Sequence, residues 1–234
     1  LEAAADARTR MLLLCSPHNP VGRVFDDAEL RQLAAFAERH DLLICSDEIH
    51  CGLVLDPDVR HRPIATLDAA TAARTITLMA PSKTWNVASL YCALAIIPDP
   101  ALRRRYRRVM QGIVPPVNVL GLVATEAAYR HGEPWRQRLL DYLRGNRARV
   151  LQAVAAMPGL STVSPQATYL AWIDGRELLA ERGIDSVPAF FEAAGVGLSD
   201  GTPFGAPGFV RLNFGCTRAT LDEALARMAA ALAA

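Results

Sequence analysis

Apolar positions in the first hundred residues come in short unbroken blocks. Met11-Leu-Leu-Leu-Cys15, Leu42-Leu-Ile-Cys45, Thr75-Ile-Thr-Leu-Met79 and Leu90 to Ile97 are such runs. Blocks of this length predict strands buried on both faces, as in a mostly parallel sheet. Between the first two, Asp26 or Asp27 can cap a helix over residues 28–40, with Leu30, Leu33, Ala34 and Ala37 on one face. Residues 2–9 read as the end of a helix or a connector. Alternation of strand and helix predicts an α/β sheet. Polar groups follow the strand ends, where open α/β sheets place ligands. Helical periodicity covers residues 100–111, 119–130 and 134–157, with a break at Pro115-Pro116. After Pro158-Gly159 the pattern changes to strands over 168–173, 196–198 and 209–214 and helices over 187–194 and 221–232. The expected organisation is a larger α/β domain over residues 1–138 and a smaller α+β domain over 139–234.

Composition narrows the function classes. The 234 residues are 51% hydrophobic and carry a net charge of +1, so a substantial core is available and no electrostatic case exists for nucleic acid or an acidic membrane. The run Arg103-Arg104-Arg105-Tyr106-Arg107-Arg108 reads as a solvated helix face. The five cysteines form no CxxC pair, and three lie in apolar runs. They are expected to be reduced thiols of a cytoplasmic protein, not disulfides or metal ligands. No apolar stretch is long enough to span a membrane, and no signal peptide is visible. The chain opens at Leu1 in a helix-like stretch, which reads as a fragment, a processed chain or an incompletely observed one.

Four polar residues stand at positions where chemistry is plausible. Lys83 lies in Ala80-Pro-Ser-Lys-Thr-Trp-Asn86, just past a predicted buried strand. It is either turned to solvent or a nucleophilic amine of depressed pKa, suited to a Schiff base with an aldehyde cofactor. Asp47 ends the preceding predicted strand and is either a cap or surface ion pair, or the partner of a protonated ring nitrogen. Asn19 is either a turn signal or an amide for a phenolate oxygen. Arg211 alternates with Val210 and Leu212, with Asn213 on its own face. It is either an exposed strand residue or a planar fork for a substrate carboxylate.

Taken together, these segments resemble a known family. His18-Asn-Pro-Val-Gly22, Ser46-Asp-Glu-Ile-His50, Ser82-Lys83-Thr84 and Val210-Arg-Leu-Asn213 are similar, in order and separation, to the motifs of fold-type I pyridoxal-phosphate enzymes of the class I/II aminotransferase superfamily. The separations are 28 residues from Asn19 to Asp47, 36 from Asp47 to Lys83 and 128 from Lys83 to Arg211. Ser82-Lys-Thr-Trp-Asn-Val-Ala-Ser-Leu90, Asp47-Glu-Ile-His50 and Ala167-Thr-Tyr-Leu-Ala-Trp172 resemble the bacterial cystathionine β-lyase (carbon–sulfur lyase) branch more than typical transaminases. Leu90 and Tyr91 stand where most transaminases place an arginine for the cofactor phosphate. His50 stands where many place a tyrosine, and Ser89 replaces the branch's usual glycine. The family's N-terminal portion, about one domain's worth of residues, has no counterpart in this sequence.

The resemblance implies a fold-type I large domain followed by a small α+β domain. It implies pyridoxal 5′-phosphate held by Lys83, with Asp47 at the ring nitrogen, Asn19 and His50 on the phenolic side and Ser82 at the phosphate. Arg211 would take the carboxylate of an amino-acid substrate. The activity implied is β-elimination from cystathionine or a cysteine S-conjugate, giving a thiol, pyruvate and ammonia. The alternatives are an aminotransferase of the same fold and a catalytically idle regulatory protein. A homodimer is implied, with no metal, nucleic acid or membrane. Trp85, two residues from Lys83, is expected either beside the cofactor or in the core.

Overall fold

The computed structural model describes Leu1–Ala233. By its contacts the chain divides into two compact units: Leu1–Pro17 with Val24–Gln137, and His18–Arg23 with Arg138–Ala234.

The first unit is built on a four-stranded sheet. Its elements are β1 (Met11–Cys15), α1 (Asp27–Arg39), β2 (Leu43–Asp47), α2 (Ala69–Ala73), β3 (Thr75–Met79), β4 (Leu94–Ile96), α3 (Pro100–Met110) and α4 (Val119–His131). The strand order is β1-β2-β3-β4; the first three are parallel and β4 is antiparallel to β3. Asp26 starts α1 with a reciprocal capping box: its carboxylate accepts from Glu29 N at 2.9 Å, and Glu29 Oε2 accepts from Asp26 N at 3.0 Å. The apolar face of α1 then packs Leu30, Ala34 and Ala37 on Leu14, Leu42 and Ile44. Each large side chain buried this way contributes about 1.5–3 kcal/mol. Asp99 caps α3 and Pro100 occupies its first turn, so Leu102 meets Ile76 and Ile97.

In the second unit the sheet runs β5 (Ser161–Thr162), β6 (Leu170–Asp174), β8 (Phe209–Asn213), β7 (Ser199–Asp200), all antiparallel. The helices are α6 (Arg176–Arg182), α7 (Val187–Ala193) and α8 (Arg218–Ala233). Helix α5 (Glu133–Ala155) begins among the residues of the first unit and continues into the second. There its buried Asn146 donates to Phe214 O at 2.9 Å and Cys216 O at 3.0 Å, tying the helix to the exit of β8.

Several expected elements differ in extent. The apolar run 90–97 is a strand only over Leu94–Ile96, because a 3-10 turn at Ala88–Leu90 ends in a left-handed Tyr91 (φ 49°). The strand expected from residue 168 starts at Leu170, since Thr168 is left-handed (φ 72°). Residues 196–198 are not a strand. Val196 N closes back on Phe191 O at 2.9 Å, and pairing with β8 starts at Ser199. None of the five cysteines is in a disulfide, and no group of His, Cys, Asp or Glu among the described residues can hold a metal. No helix among the described residues is long and apolar enough to cross a membrane.

Candidate active site

In the first unit the chemistry gathers at the C-terminal ends of neighbouring parallel strands. Asp47 closes β2 and is in register with Leu78 of β3. Its Oδ1 accepts from Ile49 N at 3.1 Å, which turns the chain sharply. Asp47 also lines a cleft of about 1000 Å³, together with Leu78, Ala80, Tyr91, Leu94 and Tyr106. Lys83 follows β3 by four residues, in a turn closed by Trp85 N to Pro81 O at 2.9 Å and Val87 N to Ser82 O at 3.2 Å. The next residue, Thr84, is buried.

This turn is seated against a second one. A 3-10 turn at Cys51–Leu53 follows Asp47, and Gly52 lies so close to Thr84 that an added Cβ would stand 2.5 Å from its Oγ1. Arg136 of α5 donates to Gly52 O at 2.9 Å and is itself held by Glu133 at 2.6 Å. That guanidinium, and then Gln137, bring the Glu133 carboxyl down to about 2. Burial, and then the negative charge of Glu48, push the Cys51 thiol up to about 11. It is therefore a neutral thiol at physiological pH. Gly52→Ala is expected to lower stability by about 1–3 kcal/mol, because the overpacked methyl must displace Thr84. Urea denaturation measures this, and an unchanged midpoint would mean that the close approach is relaxed at no cost.

The remaining expected residues of this unit are placed as follows. His50 is buried at the start of the 3-10 turn. Ser82 lies in the Lys83 turn, its carbonyl engaged by Val87 N. Trp85 is packed on α4: its indole donates to Gly132 O at 3.1 Å and its ring meets the edge of Tyr129 at 5.0 Å.

The second unit holds the other expected pair. Asn19 and Arg211 meet, with Arg211 Nη1 donating to Asn19 Oδ1 at 2.9 Å. Arg211 Nη2 donates to Ser199 Oγ at 3.2 Å, and its guanidinium lies 5.3 Å from the centre of the Phe204 ring. Phe204 leans edge-on against Trp172, which stacks on Phe209. The loop that carries Asn19 is closed by His18 N to Arg23 O and Gly22 N to His18 O, both 2.7 Å. Gly22 has φ 75°, and its Cβ would stand 2.4 Å from Pro165 Cβ, so only glycine fits there. Ala167 N then donates to Gly22 O at 2.9 Å. Burial, and then repulsion from Arg23, push the His18 imidazole down. Ser199, Phe204 and Gly52 were not singled out by the sequence, whereas Thr84 was read only as the last residue of the Ser82-Lys83-Thr84 motif.

Comparison with known proteins gives the family of the chain. Residues 1–228 match the family described as "Aminotransferase class I and II". The chain belongs to the class I and II aminotransferase family. Within this family, cystathionine β-lyase PatB of Bacillus subtilis is 34% identical over 97% of this chain and 59% of its own length. The crystal structure of OvoB superposes with a TM-score of 0.95 at 51% identity, covering 99% of this chain and 60% of that one. Cystalysin from Treponema denticola, whose crystal structure contains pyridoxal 5′-phosphate, superposes with a TM-score of 0.88 at 31% identity, over 96% of this chain and 57% of that one. The chain thus spans about three-fifths of the length of these relatives. The fold is the fold-type I transferase expected from the sequence, with helices around a mainly parallel sheet followed by an α+β unit.

Proposed function

We propose that the full-length protein is a pyridoxal-phosphate-dependent carbon–sulfur β-lyase, acting as a cytoplasmic homodimer on cystathionine or a cysteine S-conjugate. The observation that carries this reading is the placement of Asp47 at the end of β2 and of Lys83 in the turn that follows the adjacent parallel strand β3, in a chain whose relatives include a cystathionine β-lyase.

The residues present fit the cofactor. Asp47 keeps one oxygen on Ile49 N and borders a cleft of about 1000 Å³, ample for a ring of this size. Its carboxylate is the counter-charge for a protonated pyridine nitrogen. Asn19 gives its carbonyl oxygen to Arg211, which leaves its NH₂ as a donor for a phenolic oxygen. His50 is assigned to the same side of the ring and Ser82 to a phosphate oxygen. When bound, pyridoxal phosphate supplies the electron sink for chemistry at Cα.

The roles of the residues follow. Arg211 binds the α-carboxylate of the substrate and orients the Cα–H bond. Lys83 would hold the cofactor through its amine and would take the proton from Cα of the substrate. The Cβ–S bond then breaks, the thiolate leaves and takes up a proton, and water releases pyruvate and ammonia. An aminotransferase of the same fold would instead keep the β-substituent and pass the amino group to a 2-oxo acid. Against that reading, Tyr91 occupies a position where transaminases carry arginine, and its side chain is 83% exposed on a left-handed backbone. The test is pyruvate release from cystathionine by the full-length protein. Amino transfer to a 2-oxo acid without pyruvate would overturn it.

A further inference from the structure

Directly beside Asp47 lies a buried polar group that the reaction above does not use. Ser46 and Glu48 flank Asp47, and both are buried. Ser46 Oγ donates to Glu48 Oε1 at 2.9 Å. The other oxygen, Oε2, is bonded by His61 Nε2 at 2.8 Å, and neither side chain is more than 8% exposed. His61 arrives from a loop thirteen residues further on. Successive residues of a strand point to opposite sides of the sheet. Ser46 and Glu48 are therefore locked together on one side, and Asp47 is turned to the other, where it borders the cleft.

The backbone of Glu48 is held as tightly as its side chain. Its N–H donates to Leu78 O of β3 at 2.9 Å, and its carbonyl accepts from Cys51 N at 2.9 Å. The first bond ties it to the strand that leads to Lys83. The second starts the turn whose Gly52 abuts Thr84. A buried carboxylate held by imidazole is a poor source of net stability, because desolvation offsets most of the attraction. An apolar pair would fill the same space without that cost. What the polar pair adds is direction.

We propose that Glu48, clamped by Ser46 and His61, is a positioning residue that fixes the angle at which Asp47 meets the ring nitrogen of the cofactor. This rests on the cofactor reading above. The experiment uses the full-length protein loaded with pyridoxal phosphate, compared with Glu48→Gln, His61→Gln and Ser46→Ala. Four readouts are taken: borohydride-stable label on Lys83, the absorbance spectrum of the bound cofactor, kcat and KM for pyruvate release, and the urea midpoint.

The expected result is retained label on Lys83, a shifted cofactor absorbance and a fall in kcat of about tenfold to a hundredfold, with KM within about threefold because Arg211 is untouched. Ser46→Ala removes a single neutral hydroxyl and keeps the test valid if the Glu48 variant does not fold. Wild-type absorbance and kcat in Ser46→Ala and in every variant that folds, with only the urea midpoint lowered, would reduce the pair to a structural role and overturn the inference alone. Absence of label on Lys83 in the wild-type protein would overturn the cofactor reading and this inference together.

Discussion

Lys83→Ala in the full-length protein is expected to abolish both borohydride-stable labelling by pyridoxal phosphate and pyruvate release. The prediction has the largest effect because one amine has two tasks. In the proposed reaction it would be both the covalent attachment point and the base that removes the Cα proton. Loss of proton transfer alone costs about 10²–10⁴ in rate. Its place on the turn supports both tasks. Thr84 is anchored in the interior beside it and Trp85 is fixed to α4 through Gly132 O, so the lysine backbone sits on a support that does not depend on its own side chain. The variant is therefore expected to fold, with a urea midpoint close to wild type. Lys83 is the only lysine among these 234 residues, so pyruvate release retained by the variant would remove it from the role. A variant that loses the label but keeps every cellular function would support the idle, regulatory reading of the fold.

How far the sequence alone reached can be judged element by element. β1 and β3 are legible as short, largely apolar runs and β8 as an alternation of apolar and polar residues, but burial on both faces does not hold for β1, where Leu13 is 76% exposed, or for β4, where Leu94 and Ile96 are exposed. The β4 run misleads because its composition says nothing about the sign of φ at Tyr91. Helix α6 was not read from the sequence although Gly175 and the left-handed Gly183 bracket it; α7, equally short, was read, and there Ser186 caps the first turn and Pro188 stands in it. The Lys83 and Asp47 positions stand out because Lys83 follows a buried strand and Asp47 ends one. The partners that hold them were not. His61 is a lone histidine in a polar loop until the fold closes it on Glu48. Gly52 becomes meaningful only when Thr84 presses against it. Asn19 and Arg211 lie 192 residues apart, and only the packing of the second unit brings them to 2.9 Å.

That pair carries the second large prediction. Arg211→Lys is expected to lower kcat/KM for an amino-acid substrate by roughly 10²–10⁴, mostly through KM. The substitution keeps the charge, so a simple charge argument predicts little change. The geometry argues otherwise. The guanidinium uses one nitrogen on Asn19 and another on Ser199 while its face rests on Phe204, itself braced by Trp172. Its plane is thereby fixed before substrate arrives, and the fork can meet a carboxylate with two parallel bonds. A lysine ammonium is a point charge on a flexible stem; it cannot satisfy Asn19, Ser199 and a carboxylate in one plane. Two charge-assisted hydrogen bonds at about 1.5–3 kcal/mol each set the scale of the loss. The control is a substrate of the same thioether without the α-carboxylate. For it, wild type and variant should be equally slow. An equal loss on both substrates would mean that Arg211 shapes the unit without touching the carboxylate, and an unchanged KM on the amino acid would place the carboxylate elsewhere.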